Sequence, residues 1–68
     1  MKNRLKIERA IKNITQEELA RLVNVSRQTI NAMELNKYAP STVLALKVAK
    51  VFEKKVDDIF FLDDEDWP

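Results

Sequence analysis

The chain contains no cysteine, no histidine and no glycine among its 68 residues. The first two absences exclude disulfide bonds and the usual Cys/His zinc sites, and the third excludes a glycine-rich phosphate loop. No apolar run approaches the roughly 20 residues of a bilayer span, and no signal peptide is visible. The composition therefore predicts one small domain with an aliphatic core, a cytoplasmic location and no cofactor.

Charge is divided unevenly along the chain, although the net charge is only +1. Residues 1–55 carry all twelve Lys and Arg against five Glu, a balance of +7. Residues 56–68 carry six acids and no base, a balance of −6. A basic body followed by an acidic tail favours a polyanion as partner, although a solvated charged surface gives the same pattern.

The spacing of apolar residues predicts helices joined by short turns. Leu5, Ile7 and Ile11 recur at helical steps near the start of the chain. The second helix is expected to bury four apolar residues, Leu19, Ala20, Leu22 and Val23. The predicted helices span residues 2–12, 16–23, 27–35, 42–53 and 56–60.

Capping residues mark where these helices begin and end. Thr15 and Glu18 form a T-x-x-E capping box, and Ser26 and Ser41 are good N-caps for the third and fourth helices. Asn24 and Asn36 follow the second and third helices, where a left-handed backbone is needed and asparagine tolerates it.

The second and third helices are separated by a minimal turn. Ala20 is small enough for the next helix to cross closely, Asn24 supports the turn, and Ile30 fills the angle between the helices. These are the requirements of a helix-turn-helix, whose second helix enters the DNA major groove. We therefore assign residues 16–35 to this motif.

Two segments, "TQEELARLVNVSRQTINAMELNKYAPS" and "LALKVAKVFEKKVDDIF", resemble the phage-repressor-like helix-turn-helix regulators of the XRE or Cro/cI type. The resemblance covers residues 15–60. Within this family, the sequence is most similar to the short stand-alone repressors. It implies an all-α, compact five-helix, lambda-repressor-like domain over residues 1–60, followed by a tail over 61–68. Asn24 and Asn36 depart from the glycine that the family favours, but both keep left-handed capability.

The resemblance implies that the start of the third helix contacts bases. The matching residues are Arg27, Gln28 and Asn31, with Thr29 as a further candidate for a thymine methyl or a phosphate. Their chemistry agrees, because Arg pairs with guanine O6 and N7, and Gln or Asn pairs with adenine N6 and N7. The alternative for Arg27 is a solvated first-turn side chain.

Phosphate contacts are implied at the start of the second helix and in the loop after the third. The candidates are Gln16, Ser26, Lys37 and Tyr38. Ordinary surface positions are the alternative for Gln16 and Lys37, while the Tyr38 ring has the alternative of packing under the loop. Ser26 is first of all a cap.

The resemblance also implies a partly buried ion pair between Arg9 and Glu34. Such a pair fixes geometry more than it adds stability.

The tail combines apolar and acidic residues in "IFFLDDEDWP". Phe61, Leu62 and Trp67 are candidates for a homodimer interface, to which a short strand at 60–62 would add. The acids at 63–66 are candidates for weakening non-specific DNA contacts or for binding a partner's basic face. A metal site there lacks a defined loop geometry, so we expect none. The alternative is a tail that frays beyond the core.

The leading hypothesis is a sequence-specific DNA-binding transcriptional regulator, a repressor that binds a palindromic operator as a homodimer. The alternative is an antitoxin-type interaction module that also binds DNA. RNA binding is disfavoured because aromatic stacking platforms are missing. Catalysis is disfavoured because no nucleophile–base pair is present. We expect double-stranded DNA as partner, with no membrane and no small-molecule ligand.

Overall fold

The five predicted helices are present in the computed structural model, which describes residues 1–68. None of them is long and apolar enough to cross a bilayer. The elements in chain order are β1 (Lys2–Asn3), α1 (Leu5–Lys12), α2 (Gln16–Val23), α3 (Arg27–Glu34), α4 (Thr42–Phe52), α5 (Val56–Ile59), β2 (Phe60–Phe61) and a 3₁₀ turn (Asp64–Asp66).

One apolar core joins all five helices. Fully enclosed Leu, Ile and Val side chains each contribute about 1.5–3 kcal/mol of burial free energy, so this core supplies the main stabilising term. The predicted inward residues Leu19, Ile30 and Met33 are confirmed, since each is at most 1% exposed. The buried apolar residues are Leu5, Leu19, Ala20, Val23, Ile30, Met33, Leu44, Val48, Ala49, Phe52, Ile59 and Phe60.

The first helix begins later than predicted. Residues 2–3 form a strand that pairs antiparallel with β2, in the register Lys2 to Phe61 and Asn3 to Phe60. The Arg4 amide extends the pairing by donating to the Ile59 carbonyl at 2.8 Å. A C-terminal strand was expected at 60–62 as part of a dimer interface. It is present at Phe60–Phe61, and its partner in this structure is the start of the same chain.

The apolar residues at helical steps in α1 were expected to form the inward face of an amphipathic helix, and this was wrong for Ile7 and Ile11. Ile7 and Ile11 are 49% and 69% exposed, while Glu8, one helical turn after Leu5, is 2% exposed. The Glu8 carboxylate accepts a hydrogen bond from Lys54 Nζ at 3.1 Å, and Arg4 Nε lies 3.8 Å away. Because these partners compensate for its lost hydration, a charged residue occupies the inward face.

The exposure of Leu22 was also not predicted. Its side chain is 62% exposed, whereas Leu19 and Val23 on the same helix are buried. The inward stripe of α2 is therefore narrower than the apolar spacing indicated.

Four helices end in a left-handed residue without the use of glycine. Three of these residues, Asn13, Asn24 and Glu53, directly follow α1, α2 and α4. The fourth, Asn36, lies two residues after the end of α3. All four have φ between 55° and 60°. After α3, the Lys37 amide donates to the Ala32 carbonyl and the Asn36 amide to Met33, which is the Schellman pattern. Asparagine tolerates this conformation well, but glutamate gains nothing locally to offset the clash of its Cβ.

We predict that Glu53→Gly stabilises the chain. The substitution removes the Cβ clash at φ 55°, and we expect the free energy of unfolding to rise by about 1 kcal/mol. Urea denaturation measures this change in the free energy of unfolding. Glu53→Ala is the control because it removes the carboxylate and keeps Cβ. Equal stability of the two variants would contradict the prediction.

Candidate nucleic-acid interface

The turn between α2 and α3 has the geometry that the sequence predicted. Asn24 lies in the left-handed region with φ 60°, and the Val25 amide donates to the Ala20 carbonyl at 3.0 Å. Ala20 is 3% exposed and Ile30 is fully buried, so the two helices cross closely. Ser26 caps α3 by accepting a hydrogen bond from the Thr29 amide at 3.1 Å. Together these contacts fix where α3 begins and which side of it faces inward.

The outward side of α3 carries three exposed polar residues, Arg27, Gln28 and Asn31, which we call the polar edge. Thr29 is half-buried, and its hydroxyl lies 2.9 Å from that of Ser26. Arg27 makes no ion pair within the chain, and it lines one shallow depression together with Gln16. The polar edge therefore presents guanidinium and amide groups, which can donate and accept hydrogen bonds.

An ion pair between Arg9 and Glu34 anchors α3 to α1. Arg9 Nε donates to Glu34 Oε2 at 2.5 Å, and Nη2 donates to Oε1 at 3.1 Å. The remaining Nη1 donates to the Ile14 carbonyl at 3.0 Å, just beyond the end of α1. The Arg9 side chain is 15% exposed and the Glu34 side chain 6%, so the pair is largely shielded from water.

Both members of this pair have shifted pKa values. The hydrogen bond from Arg9 to Glu34 raises the pKa of Arg9 above its usual range despite partial burial. Burial alone would raise the pKa of Glu34, but the hydrogen bonds from Arg9 and Gln16 outweigh it, and the pKa lies below its ordinary value. Glu34 is therefore ionised at neutral pH and acts only as an acceptor.

Gln16, the first residue of α2, joins this pair to the polar edge. Its Nε2 donates to Glu34 Oε1 at 3.1 Å and to Asn31 Oδ1, also at 3.1 Å. Two residues predicted to contact DNA, Gln16 and Asn31, are thus brought into direct contact. The hydrogen bonds form one chain from Arg9 through Glu34 and Gln16 to Asn31.

The loop after α3 is tied to the start of the chain through Asn3, a residue that was not among the candidates from sequence. Asn3 Nδ2 donates to the Met33 carbonyl at 2.7 Å and to Asn36 Oδ1 at 3.1 Å. Lys37 and Tyr38 follow on the surface, both exposed. No local pattern around Asn3 points to this role, because its partners lie 30 and 33 residues away.

The tail lies against the N-terminus instead of extending freely. The Met1 amino group lies 2.9 Å from Asp66 and 3.6 Å from Asp63. The candidate interface residues Phe61, Leu62 and Trp67 are 41%, 57% and 65% exposed. The tail therefore presents three large apolar side chains to solvent.

The fold and the polar edge together define a helix-turn-helix protein. The model of the helix-turn-helix family (HTH_3) matches residues 5–59, which is most of the chain. The chain belongs to this family, the XRE-type helix-turn-helix transcriptional regulators.

Relatives of similar length match almost end to end. One from Methanocaldococcus jannaschii is 54% identical over 97% of this chain and 100% of its own, and one from Archaeoglobus fulgidus is 52% identical over 97% and 93%. A third, YgzD from Bacillus subtilis, is 46% identical over 96% and 98%. All three are named as uncharacterized HTH-type transcriptional regulators.

We predict that Glu34→Ala destabilises the chain much more than Glu17→Ala. Removal of Glu34 leaves the shielded Arg9 without its partner, at a cost of about 3 kcal/mol in the free energy of unfolding. Glu17 is the matched control, because it pairs with Arg21 at 4.0 Å on the surface, with both side chains at least 70% exposed, and its loss costs below about 1 kcal/mol. Urea denaturation compares the two, and equal losses would contradict the prediction.

The wild type and Glu34→Ala should also differ in a pH-dependent way with a defined sign. Glu34 has a folded-state pKa below its ordinary 4.5, so the stability that it contributes is present above pH 4.5. This stability is lost as the pH falls through the folded-state value. The gap in unfolding free energy between the two proteins should therefore be constant near neutral pH and narrow below 4.5. A gap that widens on acidification would contradict the assignment.

Proposed function

We propose that this chain represses transcription by binding a palindromic operator as a homodimer, with α3 in the major groove. The observation that carries the proposal is the polar edge, a set of exposed side chains suited to contacting bases, on a helix that an ion pair and a capped turn hold in place. Repression then follows from occupancy of the operator, with no catalytic step.

Base contacts come from the polar edge. Arg27 is free of ion pairs and suits the O6 and N7 atoms of guanine. Gln28 is exposed one residue further on and suits adenine N6 and N7. The Thr29 hydroxyl is engaged by that of Ser26 at 2.9 Å, so its methyl group is the part suited to a base contact, with a thymine methyl.

Phosphate contacts frame the groove on both sides. The backbone amide of Gln16 lies at the start of α2, where the helix dipole favours an anion. Lys37 and Tyr38 lie beyond the other end of the motif, and Ser26 lies at the α3 cap. The balance of +7 over residues 1–55 supplies the general attraction to a polyanion.

The dimer would form through the tail. Phe61, Leu62 and Trp67 expose apolar surface next to the β1–β2 pair, and burial against a twofold mate removes it from water. Two copies of α3 would then meet half-sites about 34–36 Å apart, which predicts a palindromic operator.

The DNA-binding proposal predicts that selection from random duplexes enriches a palindromic site. Arg27→Ala should lose base preference at one position in each half-site, by about 5- to 150-fold. Lys37→Ala should weaken all sequences alike and lower the salt slope by about 1. Lys50→Ala is the control. It also removes one positive charge, but from a different groove that Arg4 and Lys54 line as well, and it should leave affinity nearly unchanged. Binding without sequence preference would overturn the proposal.

The dimer is tested separately by sedimentation of the free protein. Leu62→Lys should shift the population from dimer to monomer, because it places a charge in the apolar interface. Leu22→Lys is the matched control, with 62% exposure against 57% for Leu62. If neither variant changes the sedimentation of a dimeric wild type, the interface lies elsewhere.

A further inference from the structure

We propose that Asn3, on β1, positions the loop after α3 so that Lys37 reaches a phosphate of the DNA. This inference rests on the proposed DNA-binding function and deepens it, because it assigns a part in backbone contact to a residue outside the helix-turn-helix. Asn3 is a positioning residue, which acts through the loop and needs no contact with DNA of its own.

The Asn3 side chain bridges two parts of the chain with three hydrogen bonds. Its Nδ2 donates to the Met33 carbonyl at 2.7 Å and to Asn36 Oδ1 at 3.1 Å. Its Oδ1 accepts from the Leu5 amide at 3.0 Å. A backbone carbonyl can only accept and a backbone amide can only donate, so these partners fix which end of the Asn3 amide faces α3. Both hydrogens of Nδ2 are therefore used on α3 and the loop that follows it.

The two acceptors of Asn3 lie where the chain leaves α3. Met33 belongs to the last turn of the helix, and its carbonyl also accepts from the Asn36 amide at 3.0 Å. Asn36 holds the left-handed conformation, with φ 60°, that turns the chain away from the helix, and Lys37 is the next residue. Because Asn3 holds both the last turn and the Asn36 side chain, it fixes the direction in which the chain arrives at Lys37.

The backbone of Asn3 is itself anchored on the core. Asn3 pairs with Phe60 between β1 and β2, and the adjacent Arg4 amide donates to the Ile59 carbonyl at 2.8 Å. Ile59 is fully buried and Phe60 is 6% exposed, so this end of β2 is packed into the apolar core. Asn3 therefore ties an exposed loop to a well-packed part of the molecule.

Lys37 gains from this tie because its own side chain is flexible. Lys37 is exposed and makes no ion pair within the chain, so its ammonium group is available to a phosphate. Binding must order that side chain, and an unanchored loop would add the entropy of ordering its backbone. With the backbone held before binding, only the first of these two costs remains. The gain applies to every duplex sequence, because a phosphate carries no base identity.

Salt titration of DNA binding tests the inference with Asn3→Ser. A serine hydroxyl can still accept from the Leu5 amide, but it is too short to hold the loop as well, and the substitution changes no charge. Fluorescence anisotropy follows binding to a duplex that carries the site selected from random sequences, at several salt concentrations. We expect Asn3→Ser to lower the salt slope as much as Lys37→Ala does, by about 1, and to leave the base preference unchanged.

A double variant separates positioning from a general loss of stability. Asn3→Ser combined with Lys37→Ala should bind like Lys37→Ala alone, because Asn3 then has no phosphate contact to position. Val51→Ala is the control. Val51 is half-buried on α4 and packs against the core, so its truncation destabilises the domain and should leave the salt slope at the wild-type value. Circular dichroism establishes that each variant is folded at the temperature of the titration.

The outcomes separate this inference from the proposed function. If the wild type binds no duplex, the DNA-binding proposal fails and the inference fails with it. If the wild type binds all sequences alike, the operator proposal fails, and the salt slopes on that DNA still decide the inference.

Three results would overturn the inference while operator binding stands. Folded Asn3→Ser could keep the wild-type salt slope, its loss of affinity could add in full to that of Lys37→Ala, or Lys37→Ala could leave the slope unchanged. A changed base preference in Asn3→Ser would also overturn it, because the tie would then act on α3 itself and not on the loop.

Discussion

The ion pair between Arg9 and Glu34 is the contact on which the arrangement of the helix-turn-helix depends. It joins α1 to α3 directly, reaches α2 through Gln16, and holds the end of α1 through the Ile14 carbonyl. A pair so shielded from water recovers little net free energy, because both ions lose hydration. Its contribution is geometric, since three helices must keep one relative placement for all of these hydrogen bonds to form together.

A second constraint is that the chain must turn after four of its helices without glycine. Each of the four reversals requires a left-handed residue, and asparagine supplies three of them. Without glycine, the backbone of the unfolded chain has fewer accessible conformations. Less conformational entropy is therefore lost on folding. At Asn24 this matters for function, because the tight turn sets the angle at which α3 leaves α2. Glu53 shows that the same backbone can be imposed on a poorly suited residue when the flanking helices determine it.

Much of the fold followed from local signals, and the errors arose where partners are distant in sequence. The caps at Thr15, Ser26 and Ser41 placed three helix starts correctly, because a capping residue acts within three positions of itself. The buried Glu8 was missed because its compensating partner Lys54 is 46 residues away. The strand at Lys2–Asn3 was missed for the same reason, since its identity depends on Phe60 and Phe61 at the opposite end of the chain.

The candidate site, too, was predictable from the sequence only in part. The residue types of the polar edge and the pairing of Arg9 with Glu34 were accessible from the sequence through a family resemblance, but the orientation of Asn31 was not. An amide side chain offers a donor and an acceptor of similar shape, so its identity alone does not say which one meets a given neighbour. That choice comes from Gln16, whose own orientation comes from the charge on Glu34. Side chains whose partners lie on another helix therefore take an orientation that no local sequence pattern predicts.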